Sequence, residues 1–353
     1  MTVLVTGASG LVGSAVVRAL SERGTPVLAA DLPPAPGPGR ASSPGTGTQA
    51  DTPEAAAGTH GSGRESAGWA VSGRGAGRPS HVRLMRWDLT TEVPEEVAAL
   101  SGRVRTVVHC ARRSDDWGPE EEFHAVNAAG TRKVLDVFPH ARFIHLSTTA
   151  VYGIDRDHTR LHEEAGPLEE SEHTAPFPLT AARAEQVIAR VRPDALVLRP
   201  ARVYAPGSAD GLIDDLESFR RKDALLLPGG ARNTVMLAHL DTVVEAVLAG
   251  IDRPQVSGRI NVADPEPYLF REALMTYLAR TDHPPVLLDE RPADLAKARA
   301  WFAAKRAGKP RADNRPAHTV AQIEEYVRER TYSLARLTSL LGVQPEQRLA
   351  PHS

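Results

Sequence analysis

The first thirteen residues, Met1-Thr-Val-Leu-Val-Thr-Gly-Ala-Ser-Gly-Leu-Val-Gly13, constrain the fold of the whole chain more than any other stretch. Val3, Leu4 and Val5 form an apolar run without polar alternation, which reads as a central parallel strand covered on both faces. Gly7, Gly10 and Gly13 follow at its exit. One glycine permits a tight turn, one lets the backbone approach a pyrophosphate, and one lets the next helix pack closely on the strand. That helix, Ser14 to Arg23, presents free amides and a positive dipole end to the phosphate. Ser9, Leu11 and Val12 lie in the same turn and join the glycines as candidate cofactor contacts.

A second strand, Pro26 to Ala30, leads to Asp31, about twenty residues past the glycines. A carboxylate there accepts hydrogen bonds from adenosine ribose hydroxyls and repels a 2′-phosphate, so NAD is expected over NADP. The alternative is a doubly wound domain that kept the turn and lost the ligand.

With 353 residues the chain can bury a large α/β core or form two lobes. A net charge of −2 argues against a nucleic-acid partner or an anionic membrane surface. No apolar run approaches the ~18 residues of a membrane span, so the expectation is a cytoplasmic protein. Cys110, inside Val107-Val108-His109-Cys110-Ala111, reads as a small buried hydrophobe and not as a nucleophile. Residues 32 to 80 are rich in Pro, Gly, Ser, Thr and Ala, with Trp69 and Val71 the large apolar exceptions after Leu32. Such composition reads as a disordered low-complexity insertion after the second strand.

Order resumes with a strand from His81 to Asp88, whose Asp88-Leu89 exit serves either the adenine amino group or the start of a helix near Pro94 to Leu100. Arg105 to Ala111 reads as the fourth strand, and a polar, acidic segment from Arg112 to Glu122 leads to a helix from Phe123 to Val137 bearing Asn127. The fifth strand, Ala141 to Ser147, runs into Thr148-Thr149-Ala150-Val151-Tyr152-Gly153.

On these motifs the chain resembles the extended short-chain dehydrogenase/reductases of the NAD-dependent epimerase/dehydratase group. The carriers are Thr6-Gly7 with Gly10 and Gly13, Asp31, Asp88-Leu89, His109 with Ala111, Asn127 with Gly130-Thr131, and Ser147 to Gly153. Leu198-Arg199-Pro200, Val203-Tyr204, His239-Leu240-Asp241 and Leu340-Leu341-Gly342 continue the match. The resemblance implies a doubly wound parallel α/β sheet, the Rossmann arrangement, over residues 1 to 200. A smaller α+β substrate-binding region over 201 to 353 would be interleaved with it. It also implies Gly7, Gly10, Gly13, Asp31, Asp88, Leu89, Ala111 and Asn127 as cofactor contacts, and a small-molecule substrate. No metal is implied, and a homodimer is compatible with the chain.

The family's redox step uses a Tyr and a Lys four residues later on one helix, with a Ser or Thr from the fifth strand. Residues at i and i+4 share a helix face, so the ammonium lowers the phenol pKa while the phenolate exchanges a proton with substrate. Here Thr148 takes the hydroxyl position, but the helix reads Pro176-Phe177-Pro178-Leu179-Thr180-Ala181-Ala182-Arg183-Ala184-Glu185. The alignment puts Phe177 in the Tyr position and Ala181 in the Lys position. No Tyr-x-x-x-Lys occurs anywhere in the chain. Candidate substitutes are Tyr152 with Arg156, then Tyr204 and His173. Thr149-Ala150 after Thr148, in place of Asp-Glu, does not support 4,6-dehydratase elimination.

Arg202 stands where nucleotide-sugar members carry Asn, and Val235 where they carry Arg, which weighs against a nucleotide-diphosphate sugar. Arg202 and Arg232 are the candidate substrate-binding residues, each with a surface ion pair as its competing role. The expected activity is an oxidoreductase or epimerase on a small hydroxy or carbonyl metabolite. A catalytically silent cofactor-binding scaffold, and a non-redox lyase or isomerase, stay open beside it.

Overall fold

The computed structural model describes residues 1–32, 81–207, 211–281 and 287–349. The insertion read between 32 and 80 lies outside the described residues from position 33 onward.

Strand β1 (Thr2–Thr6) sits in the middle of a seven-stranded, all-parallel sheet. On one side lie β2 (Val27–Asp31) and β3 (Val82–Arg86); on the other come β4 (Val104–His109), β5 (Arg142–Leu146), β6 (Leu196–Pro200) and β7 (Gly258–Val262). The spatial order 3-2-1-4-5-6-7 reverses between β1 and β4, the switch point where doubly wound sheets bind ligands beyond their carboxyl ends.

Alternation along β1 sends Val3 and Val5 into one apolar layer and Leu4 into the other. The first layer packs helix α1 (Leu11–Glu22) through Val12, Val16 and Leu20, beside the later helix Leu240–Asp252. The second buries Trp87, Val97, Leu100 and Phe138. A buried polar line crosses the sheet beneath the switch point. His109 Nδ1 lies 2.7 Å from Thr6 Oγ1, and its Nε2 lies 2.9 Å from Thr131 Oγ1. This ties β1 and β4 to helix α2 (Gly130–Val137).

The helix expected from Phe123 to Val137 is not one regular helix. A turn Glu120–His124 passes into a π-helical segment, Ala125–Ala129, and then into α2. The wider turn rotates Asn127 inward, as single π-turns near functional sites do. Helix α3 (Pro176–Val191) begins with Pro at its first position, where the missing amide costs nothing.

The two halves exchange elements. β7, well past residue 200, completes the edge of the large sheet. Conversely, the strand His158–Leu161 joins a small sheet through Arg330–Tyr332. A separate core around Tyr204, Phe219, Leu225, Phe270, Tyr277 and Tyr326 fills the C-terminal region. Among the described residues no helix is long and apolar enough to cross a membrane.

Candidate functional site

Two features meet at the carboxyl ends of β1, β4 and β5. The first is the glycine turn. Gly7 has φ +64°, and a Cβ there would lie 2.6 Å from the Ala111 amide nitrogen. At Gly13 a Cβ would lie 2.0 Å from the Gly7 carbonyl oxygen. Both glycines are therefore required by the protein's own packing. Gly10 is different: it is exposed, its backbone is extended at φ −69°, and its nearest neighbour for an added Cβ is 3.4 Å away.

No side chain caps the start of α1 and its first turn carries no acid, so the amides of Leu11, Val12 and Gly13 have no side-chain acceptor. Asp31, at the end of β2, reaches this turn. Its Oδ2 accepts from the Ser9 amide and its Oδ1 from the Leu32 amide at 2.7 Å. Glycine turn, open helix start and adjacent carboxylate together fit a dinucleotide's pyrophosphate and ribose. Asp88 does not cap the following helix. Its Oδ1 accepts from the Thr90 amide at 2.8 Å and from Thr90 Oγ1 at 2.7 Å, closing a local turn, and the following helix starts only at Glu95. Leu89 is buried against Gly130.

The second feature is a hollow of about 250 Å³, open to solvent, at the end of β5. Ala111, Arg112, Asn127, His145, Thr148 and Phe177 line it together with Leu146, Ser147, Ala181 and Ala184. Thr148 Oγ1 accepts from the Ala150 amide at 3.2 Å, which leaves the hydroxyl hydrogen free to donate. Across from it, Phe177 packs with Val151, Ala181 and Ala182, so this wall of α3 carries no polar group. Asn127 acts as a clamp. Its Oδ1 accepts from the Arg113 amide at 2.7 Å, and its Nδ2 donates to the Arg113 carbonyl and to Thr180 Oγ1, both at 2.9 Å.

Beneath the hollow lies a buried ionic platform. Arg199, fully buried, donates to both Glu185 oxygens at 2.9 and 2.6 Å, and Ser147 Oγ donates to Glu185 Oε1 at 2.6 Å. Burial alone would pull the Arg199 guanidinium down, but the Glu185 charge and hydrogen bonds more than reverse this.

This platform also corrects the reading of Tyr152. Its hydroxyl donates to Asn261 Oδ1 at 2.6 Å and accepts from Arg199 at 2.9 Å, and burial pushes the phenol up to about 12. The proposed helper Arg156 instead pairs with Glu172 at 3.2 Å. Tyr152 is a structural strut outside the hollow. Tyr204 is likewise buried, donating to Asp264 at 2.6 Å, and His173 does not line the hollow.

Arg202 requires the same correction, because its guanidinium lies between Glu325, at 2.6 Å, and Asp215. Two carboxylates already neutralise it. Arg232 is 69% exposed and faces Glu290 at 3.4 Å. Neither arginine lines the hollow. Cys110 is buried and its thiol is pushed up to about 12 by burial, so it stays protonated. Among the described residues no group of acidic, His or Cys side chains forms a metal site.

Arg112 and His145 are the lining residues that the sequence reading did not single out. Arg112 directly follows Ala111 at the switch point, so its position one step past a strand exit was the available signal. His145 is buried within β5 and stacks on His109 with ring centroids 5.4 Å apart. A histidine inside an apolar strand reads as core, and only the fold brings it to the hollow.

Comparison with known proteins agrees with this architecture. Residues 3–263 match the model of the NAD dependent epimerase/dehydratase family. A curated relative, the 2-alkyl-3-oxoalkanoate reductase of Stenotrophomonas maltophilia (strain K279a), is 26% identical over 258 residues, covering 70% of this chain and 64% of the relative. The chain thus spans less than two thirds of that relative's length. Among solved structures, the UDP-glucuronic acid 4-epimerase from Bacillus cereus in complex with NAD superposes with a TM-score of 0.68 at 18% identity, over 99% of this chain and 95% of that one. A dTDP-glucose 4,6-dehydratase from Streptomyces venezuelae with NAD bound gives 0.62 at 17% identity, over 99% and 93%. At these identities the two structures speak for the fold.

Proposed function

The chain belongs to the NAD-dependent epimerase/dehydratase family, and from that premise we propose that it is an NAD-dependent oxidoreductase or epimerase for a small hydroxy or carbonyl metabolite. It would work without the family's tyrosine and lysine. The observation that carries this reading is Thr148, whose hydroxyl keeps a free hydrogen at the edge of a hollow that adjoins the glycine turn through Ala111. The curated relative's printed name, 2-alkyl-3-oxoalkanoate reductase, supports a carbonyl substrate.

In this reading the amides of Leu11, Val12 and Gly13 hold the pyrophosphate and Asp31 the adenosine ribose. Bound NAD supplies the hydride chemistry. Thr148 donates a hydrogen bond to the substrate oxygen and fixes its direction. Phe177 and Ala181, in the positions of the family's tyrosine and lysine, carry neither a proton nor a cation. The proton therefore exchanges with water, which the open hollow admits. Positioned acid–base catalysis contributes typically about 10² to 10⁴ in rate, so turnover below that of dyad-bearing members is expected.

A second reading is a catalytically silent NAD-binding protein, favoured by the apolar wall of Phe177 and Ala181. One set of measurements separates the two: titration of the purified protein with NADH, followed by turnover of a panel of short 3-oxo and 3-hydroxy compounds. The enzyme reading expects saturable NADH binding, and turnover that falls at least tenfold in Thr148→Ala. Binding without turnover selects the silent reading, and failure to bind NADH overturns both.

A further inference from the structure

Most arginines around this end of the molecule have a carboxylate partner. Arg113 pairs with Asp115 at 3.3 Å and with Glu122; Arg183 pairs with Glu120 at 2.6 Å and Glu170 at 2.9 Å; Arg199 has Glu185. Arg112 is the exception. Its polar contact is a single donation from NH1 to the Ser147 carbonyl at 2.9 Å, and no described carboxylate comes within ion-pair distance. A guanidinium has five N–H donors in a planar fork, so most of its capacity is unspent.

Its surroundings intensify the mismatch. The guanidinium carbon lies 6.0 Å from the centre of the Phe177 ring, and Leu146, Ala181 and Ala184 complete an apolar lining. His145, 5% exposed, lines the same hollow with its Nδ1 buried and without a hydrogen-bond partner. Burial pulls the Arg112 guanidinium below its usual range, and burial together with the Arg112 charge brings His145 down to about 3. A half-buried cation without a counter-ion is costly, and it is retained most economically where a ligand supplies the anion. Loop position is fixed too, because Asn127 grips the backbone of the next residue, Arg113, from both sides.

We propose that Arg112 is the substrate's anion receptor, taking a carboxylate in bidentate fashion while Thr148 holds the oxygen on the β carbon, so that the substrate class is a small 3-hydroxy or 3-oxo carboxylic acid. Thr148 is the next residue after Ser147, whose carbonyl anchors the guanidinium, so the two groups address adjacent parts of one small molecule. The proposal rests on the hollow being the reaction site.

Calorimetric titration with 3-hydroxybutanoate and its uncharged methyl ester, each with and without saturating NADH, tests it. Wild-type protein should bind the acid at least tenfold more tightly than the ester. Arg112→Gln should erase that preference, Arg112→Lys should keep part of it, and NADH affinity should change less than twofold in both. Thermal unfolding of each variant verifies that it is folded. Equal affinity for acid and ester in the wild type, a preference that survives Arg112→Gln, or no binding of either probe overturns the proposal. A tenfold loss of NADH affinity in Arg112→Gln also overturns it, since the cation would then serve the cofactor. Loss of NADH binding in the wild type, with the acid preference intact, would instead sink the NAD-dependent reading and leave Arg112 as an anion site.

Discussion

Gly10 and Gly13 stand three residues apart in one turn and answer to different demands. An alanine Cβ at position 13 would sit 2.0 Å from the Gly7 carbonyl oxygen, a backbone atom that cannot step aside. Gly13→Ala should therefore cost about 3 kcal/mol of stability or more, read by urea unfolding. At Gly10 the backbone suits alanine and its Cβ would meet nothing closer than 3.4 Å. Gly10→Ala should leave the unfolding midpoint unchanged, yet raise the NADH dissociation constant at least tenfold, about 1.4 kcal/mol. An unchanged NADH affinity in that variant would mean that the pyrophosphate does not approach the turn here. The two expected outcomes together would place the motif's fold-making and ligand-binding roles on separate residues.

Helix α3 owes its place to the ionic platform under it. Glu185, on its third turn, is the shared acceptor for Arg199 of β6 and Ser147 at the end of β5, with Arg259 of β7 at 3.2 Å. Removing one member of a buried pair leaves a bare charge, typically a loss of about 3–5 kcal/mol. Glu185→Gln should show that loss in urea unfolding, and the joint replacement Glu185→Leu with Arg199→Met should recover most of it. Additive losses would instead mean that the pair is not coupled. The elements themselves were legible in the sequence, because apolar runs ending in Gly7, Asp31 and Ala111 mark the strands β1, β2 and β4. The π-turn at Ala125–Ala129 was not, since a change in hydrogen-bond register leaves the apolar spacing nearly intact. Arg112 and Arg202 illustrate the same limit from opposite sides. Each is a charge beside a strand, and whether a carboxylate arrives to neutralise it depends on segments far away in the chain, Glu325 for Arg202 and none among the described residues for Arg112.

At the scale of the molecule, the division at residue 200 describes the chain better than the fold, because β7 returns to the large sheet and His158–Leu161 leaves it for the small one. Buried histidines lie both inside the large sheet and at the crossing made by His158. His109 bridges β1, β4 and α2, His145 lies beside it, and His158 Nδ1 meets Tyr332 Oη at 3.1 Å where the two halves join. Burial, reinforced by His145 for His109, by Arg112 for His145 and by Arg330 for His158, holds all three below the ordinary imidazole value of 6.5. His145 is brought to about 3 and His158 to about 4. In the unfolded chain each takes up a proton near pH 6.5, so the unfolded state binds more protons than the native state at any pH between there and the folded value. Stability from these groups is complete above pH 6.5 and is lost progressively on acidification toward pH 4, each histidine adding up to about 1.4 kcal/mol per pH unit. Urea unfolding at a series of pH values should show a steep decline across that window. His158→Gln removes one titrating group and should flatten the slope by roughly one proton, whatever it does to stability at neutral pH. A slope between pH 6 and 4 that is unaltered in His158→Gln would show that protons enter the native state at this junction, and that the two halves are less tightly sealed there than their packing implies.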